Sequence, residues 1–161
     1  MSGSSTDHAG ASADARQRVL FLCTHNSSRS QMAEGLLRAR AGDRYAVFSA
    51  GTHPRAVHPL AVRAMREIGI DISEEAGHYA KSLDEVRGQP FDLVVTVCDD
   101  AAEECPFFPG ARRQEHWGFP DPSAVAGTEE ERLAAFRGVR DAIAVRIERF
   151  LADEERRSTL A

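Results

Sequence analysis

The chain has 161 residues, 42% hydrophobic and 28% charged, which fits one globular domain around a single core. A formal net charge of −5 argues against a nucleic-acid footprint. There is no signal-peptide pattern and no apolar run long enough to span a bilayer, so a cytoplasmic protein that binds no membrane is expected.

Residues 1–17 are rich in Ser, Gly, Ala and Asp, lack apolar periodicity and read as a disordered N-terminal tail. Residues 18–23 read as the first strand, 30–41 as the first helix and 45–49 as the second strand, ended by Ala50-Gly51. A second helix is predicted over 59–68, with Pro59 at its first position and Leu60, Ala64 and Ile68 on its apolar face. The continuous apolar run at 91–97 fits a central parallel strand. A short, weaker strand follows at 114–117. The longest helix spans 129–151, where Leu133, Phe136, Val139, Ile143, Ile147 and Phe150 recur at three- and four-residue spacing. The charged residues 152–161 read as a fraying C-terminal tail, which leaves one domain over 18–151. Alternating strands and helices imply an α/β fold with a parallel sheet and helices on both faces. Ligands of such sheets bind at the C-terminal strand ends, where Cys23 and Cys98 both fall.

The densest chemical signal follows the first strand. Cys23 ends it, Arg29 comes after Thr24, His25, Asn26, Ser27 and Ser28, and Ser30 opens a helix. Backbone N–H groups of such a loop converge on one point, and the helix N-terminus adds its positive dipole end. Arg29 can close this cradle with a bidentate fork. A helix N-terminus and an arginine both favour a cysteine thiolate. Asn26 tolerates a left-handed backbone in mid-loop, and Ser30 can hydrogen-bond the thiolate. The loop offers a nucleophile aimed at a tetrahedral oxyanion such as arsenate or phosphate. A Cys and an Arg at this spacing also arise by chance, as a buried thiol with a solvated Arg nearby.

Residues 23–30, with Gln31-Met32-Ala33-Glu34 behind them, resemble the active-site loop shared by low-molecular-weight protein tyrosine phosphatases and thioredoxin-coupled arsenate reductases. The resemblance runs from about Arg18 to Leu151. It implies a three-layer α/β/α sandwich around a four-stranded parallel sheet. His25 stands where Gly is common in these families, and Ser28 where a further Cys is often found.

Cys98 ends the apolar strand and Cys105 follows seven positions on. Taken alone they are two buried thiols, too few for a secreted disulfide framework. The intervening Asp-Asp-Ala-Ala-Glu-Glu reads as a helical turn. Helical geometry would separate the two Cα atoms by about 10 Å, beyond the roughly 7 Å a disulfide allows. A bond between them requires this polar segment to refold. The resemblance to the reductases implies a three-thiol relay for arsenic detoxification. Cys23 attacks arsenate, Cys98 resolves the adduct, Cys105 accepts the disulfide, and reduced thioredoxin supplies electrons, with no tightly bound cofactor.

Asp121 precedes Pro122, a pairing that by itself marks a turn. In both families an Asp before Pro protonates the leaving oxygen, so the resemblance makes Asp121 the general acid. The phosphatases continue with paired tyrosines, but here Ser123-Ala124-Val125 follows. Many relatives of the reductase type bind potassium through Asn, Glu, Ser and Asp. Asn26, Glu34 and Ser49 match the first three, and Lys81 stands at the Asp position. Its ammonium either replaces the ion or lies on the surface. The histidines show no metal-ligand spacing. The expected function is arsenate reduction. The rivals are a tyrosine phosphatase using Cys23, Arg29 and Asp121, and a non-catalytic oxyanion-binding redox sensor.

Overall fold

The computed structural model describes residues 14–99 and 107–160. Strands β1 (Gln17–Cys23), β2 (Tyr45–Gly51), β3 (Leu93–Thr96) and β4 (Gln114–His116) form one four-stranded sheet in the order β2-β1-β3-β4. Every pairing is parallel, with Cys23 opposite Gly51 and Leu22 opposite Thr96. The sheet of the expected α/β fold is therefore present, and its central strands read as predicted. Leu93, Val94, Val95 and Thr96 are all buried because β3 is covered on both faces. The edge strand β4 is largely exposed, which explains its faint apolar signal.

Side chains alternate across β1 as strand geometry requires. Val19, Phe21 and Cys23 face a core built with helices α1 (Arg29–Ala41), α2 (Pro59–Arg66) and α3 (Glu129–Leu160). Leu20 and Leu22 face a smaller cluster with Val86, Phe91, Val94 and Phe108. Among the described residues this second face is covered by loops and the short turn Leu83–Glu85 rather than by a long helix. No helix of the described residues is long and apolar enough to cross a membrane.

Several boundaries differ from the sequence reading: β2 runs on to Gly51, β3 takes only Leu93–Thr96 of the apolar run at 91–97, and three further differences have a visible cause. Gln17 already belongs to β1, so the expected N-terminal tail ends earlier; residues 1–13 of it lie outside the described residues. Helix α2 stops at Arg66, and Ile68 is exposed rather than part of its apolar face. Gly69 follows in a left-handed conformation and turns the chain back, so that Ile70 N–H bonds to the carbonyl of Met65. Helix α3 continues to Leu160, through the segment expected to fray. Arg113 donates to Glu154 at 3.2 Å, Asp153 pairs with Arg156, and Arg157 lies 3.7 Å from Glu154. These ion pairs fasten a stretch whose charge made it look unanchored. The six apolar positions predicted for this helix are all buried.

Gly51 ends β2 where the strand passes beneath the loop after β1. A Cβ there would stand 2.6 Å from the carbonyl oxygen of Thr24 and 2.8 Å from the amide nitrogen of Asn26. Both are backbone atoms and cannot swing away. Gly51→Ala is therefore expected to lower stability by about 1–3 kcal/mol, the range for overpacking, and to impair oxyanion binding more than a surface substitution does. Urea unfolding and phosphate binding check both effects.

Candidate active site

The loop between β1 and α1 is shaped from outside. Its carbonyls at Thr24, His25 and Ser27 accept hydrogen bonds from the backbone N–H groups of His53, Arg55 and His58 at 2.7, 2.9 and 2.9 Å. A planar trans peptide points its N–H opposite to its carbonyl. Tying these carbonyls outward therefore turns the N–H groups of His25, Asn26 and Ser28 inward. One of them is seen arriving: Asn26 N–H donates to Cys23 Sγ at 3.2 Å. Asn26 has φ +48°, the only positive φ outside glycine among the described residues. His25 thus occupies an ordinary backbone conformation, and its ring donates from Nδ1 to the carbonyl of His53 at 3.0 Å.

The direction of the hydrogen bonds around Cys23 can be worked out. Asn26 Nδ2 donates to Ser30 Oγ at 2.8 Å. Ser30 Oγ lies 2.8 Å from Cys23 Sγ, and its own proton is free to point at the sulfur. Asn26 Oδ1 accepts from Gln31 Nε2 at 2.9 Å and from the backbone N–H of Lys81 at 2.7 Å. Gln31 Oε1 in turn accepts from His78 Nδ1 at 3.0 Å. The chain of amides is oriented so that it ends in donors on Sγ, an arrangement that suits an anionic sulfur. Burial holds His78 below the usual histidine range, although Glu34 pulls the other way. Gln31 and His78 have no signature in the sequence, because 47 residues separate them.

Arg29 is buried and donates from Nη1 to the carbonyl of Phe119 at 3.1 Å. Its Nη2 lies 3.9 Å from Asp121 Oδ2. Asp121 Oδ1 accepts from the N–H and the hydroxyl of Ser123 at 2.9 and 2.7 Å. Asp121 thus forms the turn with one carboxylate oxygen and faces Arg29 with the other. Cys23, Arg29 and Asp121 line one cavity of about 480 Å³, shared with His25, Arg55 and His58. Arg55 and His58 were not singled out in the sequence. Pro59 at a helix start was the available signal for His58, which sits at the N-cap just before it.

Cys98 is fully buried. The N–H of Val97 donates to the carbonyl of Leu22 at 2.9 Å, so Cys23, the last residue of β1, and Cys98 each come one residue after this bond; Cys98 lies two residues beyond β3 rather than ending the strand as expected. Cys105 and the helical turn expected before it lie outside the described residues.

The four residues of the cation position meet behind the loop. Lys81 Nζ lies 3.7 Å from Glu34 Oε1 and donates to the carbonyl of Tyr79 at 2.9 Å. Ser49 donates to the same Glu34 carboxylate. Arg38, missed in the sequence, donates to Glu34 Oε2 at 2.5 Å and to the carbonyl of Val47 at 2.6 Å. Lys81 is mostly buried rather than a surface lysine; burial lowers its pKa, and Glu34 offsets part of that effect.

The family described as "Low molecular weight phosphotyrosine protein phosphatase" matches residues 18–159. An arsenate reductase of Bacillus licheniformis is 49% identical over 135 residues, 84% of this chain and 95% of its own. A solved arsenate reductase in a phosphate-binding state superposes with a TM-score of 0.68 at 31% identity, covering 85% of this chain and 98% of that one. A thioredoxin-dependent arsenate reductase of Corynebacterium glutamicum aligns with a TM-score of 0.56 at 30% identity, over 86% of this chain and 65% of that one. The chain belongs to the low molecular weight phosphotyrosine protein phosphatase family, on its arsenate reductase branch.

Proposed function

We propose that this protein reduces arsenate to arsenite by a relay of Cys23, Cys98 and Cys105, with thioredoxin returning it to the reduced state. The observation that carries the reading is the pairing of a buried second thiol, Cys98, with the oxyanion cradle on the neighbouring strand. A phosphatase needs the cradle and Asp121 but has no use for Cys98. The similarity to arsenate reductases and the Ser123-Ala124-Val125 continuation, which lacks a substrate-gripping aromatic, favour the reductase.

The inward N–H groups and Arg29 hold three arsenate oxygens. Cys23 thiolate attacks arsenic(V), and the opposite hydroxyl leaves as water with a proton from Asp121. Cys98 thiolate then attacks the Cys23 sulfur. The sulfur–arsenic bond breaks, its electron pair stays on arsenic, and arsenite leaves as arsenic(III). Cys105 thiolate attacks Cys98, which frees Cys23 and leaves a Cys98–Cys105 disulfide. The dithiol of thioredoxin reduces that disulfide by exchange.

Each of Cys23→Ser, Cys98→Ser and Cys105→Ser is expected to abolish thioredoxin-coupled arsenate turnover, while only Cys23→Ser abolishes any aryl phosphate hydrolysis. A coupled assay following NADPH oxidation with thioredoxin and thioredoxin reductase checks this. Full turnover by the Cys105 variant would remove the relay.

Asp121→Asn should slow arsenate turnover by about a hundred-fold, as expected on losing a general acid. Its circular dichroism and melting temperature should stay near wild type, because an asparagine oxygen can still accept from Ser123. An unchanged rate at neutral pH would reduce Asp121 to a turn residue.

Lys81 is assigned the place of a cation. Its ammonium beside Glu34 supplies the unit charge that potassium would bring, and repels a second cation. Activity and melting temperature are expected to be indifferent to replacing sodium by potassium at constant ionic strength, and Lys81→Asp should create potassium sensitivity. A potassium-specific rise in the wild-type melting temperature would overturn the assignment.

A further inference from the structure

His58 has a task in the fold and a second edge left over. It is the N-cap of α2, and its Nδ1 accepts from the N–H of Leu60 at 3.1 Å. Its ring stacks on Phe136 with centroids 4.7 Å apart. With Nδ1 an acceptor, the neutral ring carries its proton on Nε2. Burial and the nearby Arg132 of α3 lower its pKa and so favour the neutral ring, against the opposing pull of Asp121. The same side chain lines the cavity that holds Cys23, Arg29 and Asp121, with Arg55 also at its wall. One nitrogen is spent on the helix and one face on Phe136. Nε2–H is the donor that neither contact uses, on a side chain that lines the cavity.

A tetrahedral oxyanion seated on Cys23 turns three oxygens to the loop and Arg29. Its fourth oxygen points away from the sulfur, toward Asp121. In free arsenate or phosphate that oxygen is a small, unhindered oxide or hydroxyl that can accept a hydrogen bond. In an ester it is a bridging oxygen, a weaker acceptor that also carries a bulky group. We propose that His58 is a specificity-determining residue of this pocket, donating from Nε2–H to the outward oxygen of the bound anion and so favouring free inorganic oxyanion over ester. This deepens the reading of the pocket as an oxyanion site and rests on it. It also gives a reason for the missing aromatic after Asp121: a pocket that recognises the fourth oxygen directly has no need of a grip on a leaving group.

Two substitutions separate the two nitrogens. In His58→Asn the short amide can keep the cap but does not reach the cavity. In His58→Gln the longer amide can place a donor near Nε2 but gives up the cap. Inorganic phosphate, which the protein does not reduce, is the probe, titrated by calorimetry into the reduced full-length chain. H58N is expected to bind phosphate about ten-fold more weakly, the scale of a lost hydrogen bond to a charged group. H58Q is expected to stay within a few-fold of wild type, yet to melt at a lower temperature than H58N. The ratio of arsenate to aryl phosphate kcat/KM should fall in H58N and be restored in H58Q. Phosphate affinity in H58N equal to wild type would overturn the proposal. Absence of phosphate binding by the wild type would overturn it together with the oxyanion-site reading. Failure of the reductase reading shows separately, as absent arsenate reduction with phosphate binding intact.

Discussion

The site depends on one buried amide. Asn26 has no solvent exposure, yet each polar atom of its side chain is engaged. An unsatisfied amide in that position would cost several kcal/mol on the apolar-transfer scale, more than most single contacts contribute. The satisfied amide instead holds a left-handed backbone in place at a non-glycine residue. It joins the loop and the start of α1, through Ser30 and Gln31, to a stretch of chain 55 residues away at Lys81. The position of Cys23 Sγ relative to its donors follows from that junction. Gly51 completes it from below by leaving room that any side chain would fill.

Behind Asn26 the fold has to manage charge. Glu34 is buried and is met by Arg38 on one oxygen and by Lys81 and Ser49 on the other. A single carboxylate at that depth would be costly, and two cations with one hydroxyl compensate for it. The cluster is mechanical as well as electrostatic. Lys81 reaches Glu34 with its ammonium while its backbone N–H holds Asn26. Any displacement of this lysine is therefore transmitted directly to the loop.

The parts of the structure that were legible in the sequence are those fixed by short-range pattern. The β1–loop–α1 unit could be read because Cys23, Asn26, Arg29 and Ser30 lie within eight residues and their roles follow from backbone geometry. Helix α3 could be read because its apolar spacing repeats. The unread parts depend on distant partners. Gln31 looked like an ordinary helix residue until His78 was seen against it. Arg38 carries no signal in the sequence, because its partners are the carbonyl of Val47 on another element and the buried carboxylate of Glu34. Ile68 matched the spacing of an apolar face, but the helix ended two residues earlier at a turn completed by Gly69. The end of α3 looked unanchored because Arg113, which holds Glu154, is 41 residues away.

The cradle alone does not decide between hydrolysis and reduction. Loop N–H groups, an arginine and a carboxylic acid stabilise the attack of a thiolate on phosphorus or on arsenic in the same way. The chemistries diverge only after the covalent adduct forms. Phosphorus(V) has no accessible route to accept two electrons from sulfur, so water must finish the reaction. Arsenic(V) accepts them readily, provided a second thiol can reach the first sulfur. The discriminating features must therefore lie outside the loop. One is a thiol just beyond the end of the adjacent strand, where parallel pairing brings two chain segments out side by side. The other, under the role proposed for His58, is the cavity wall to which His58, Asp121 and Ser123 contribute. Both sit at the carboxyl ends of strands or in the loops beyond them, which is where an open parallel sheet can change its chemistry without changing its core.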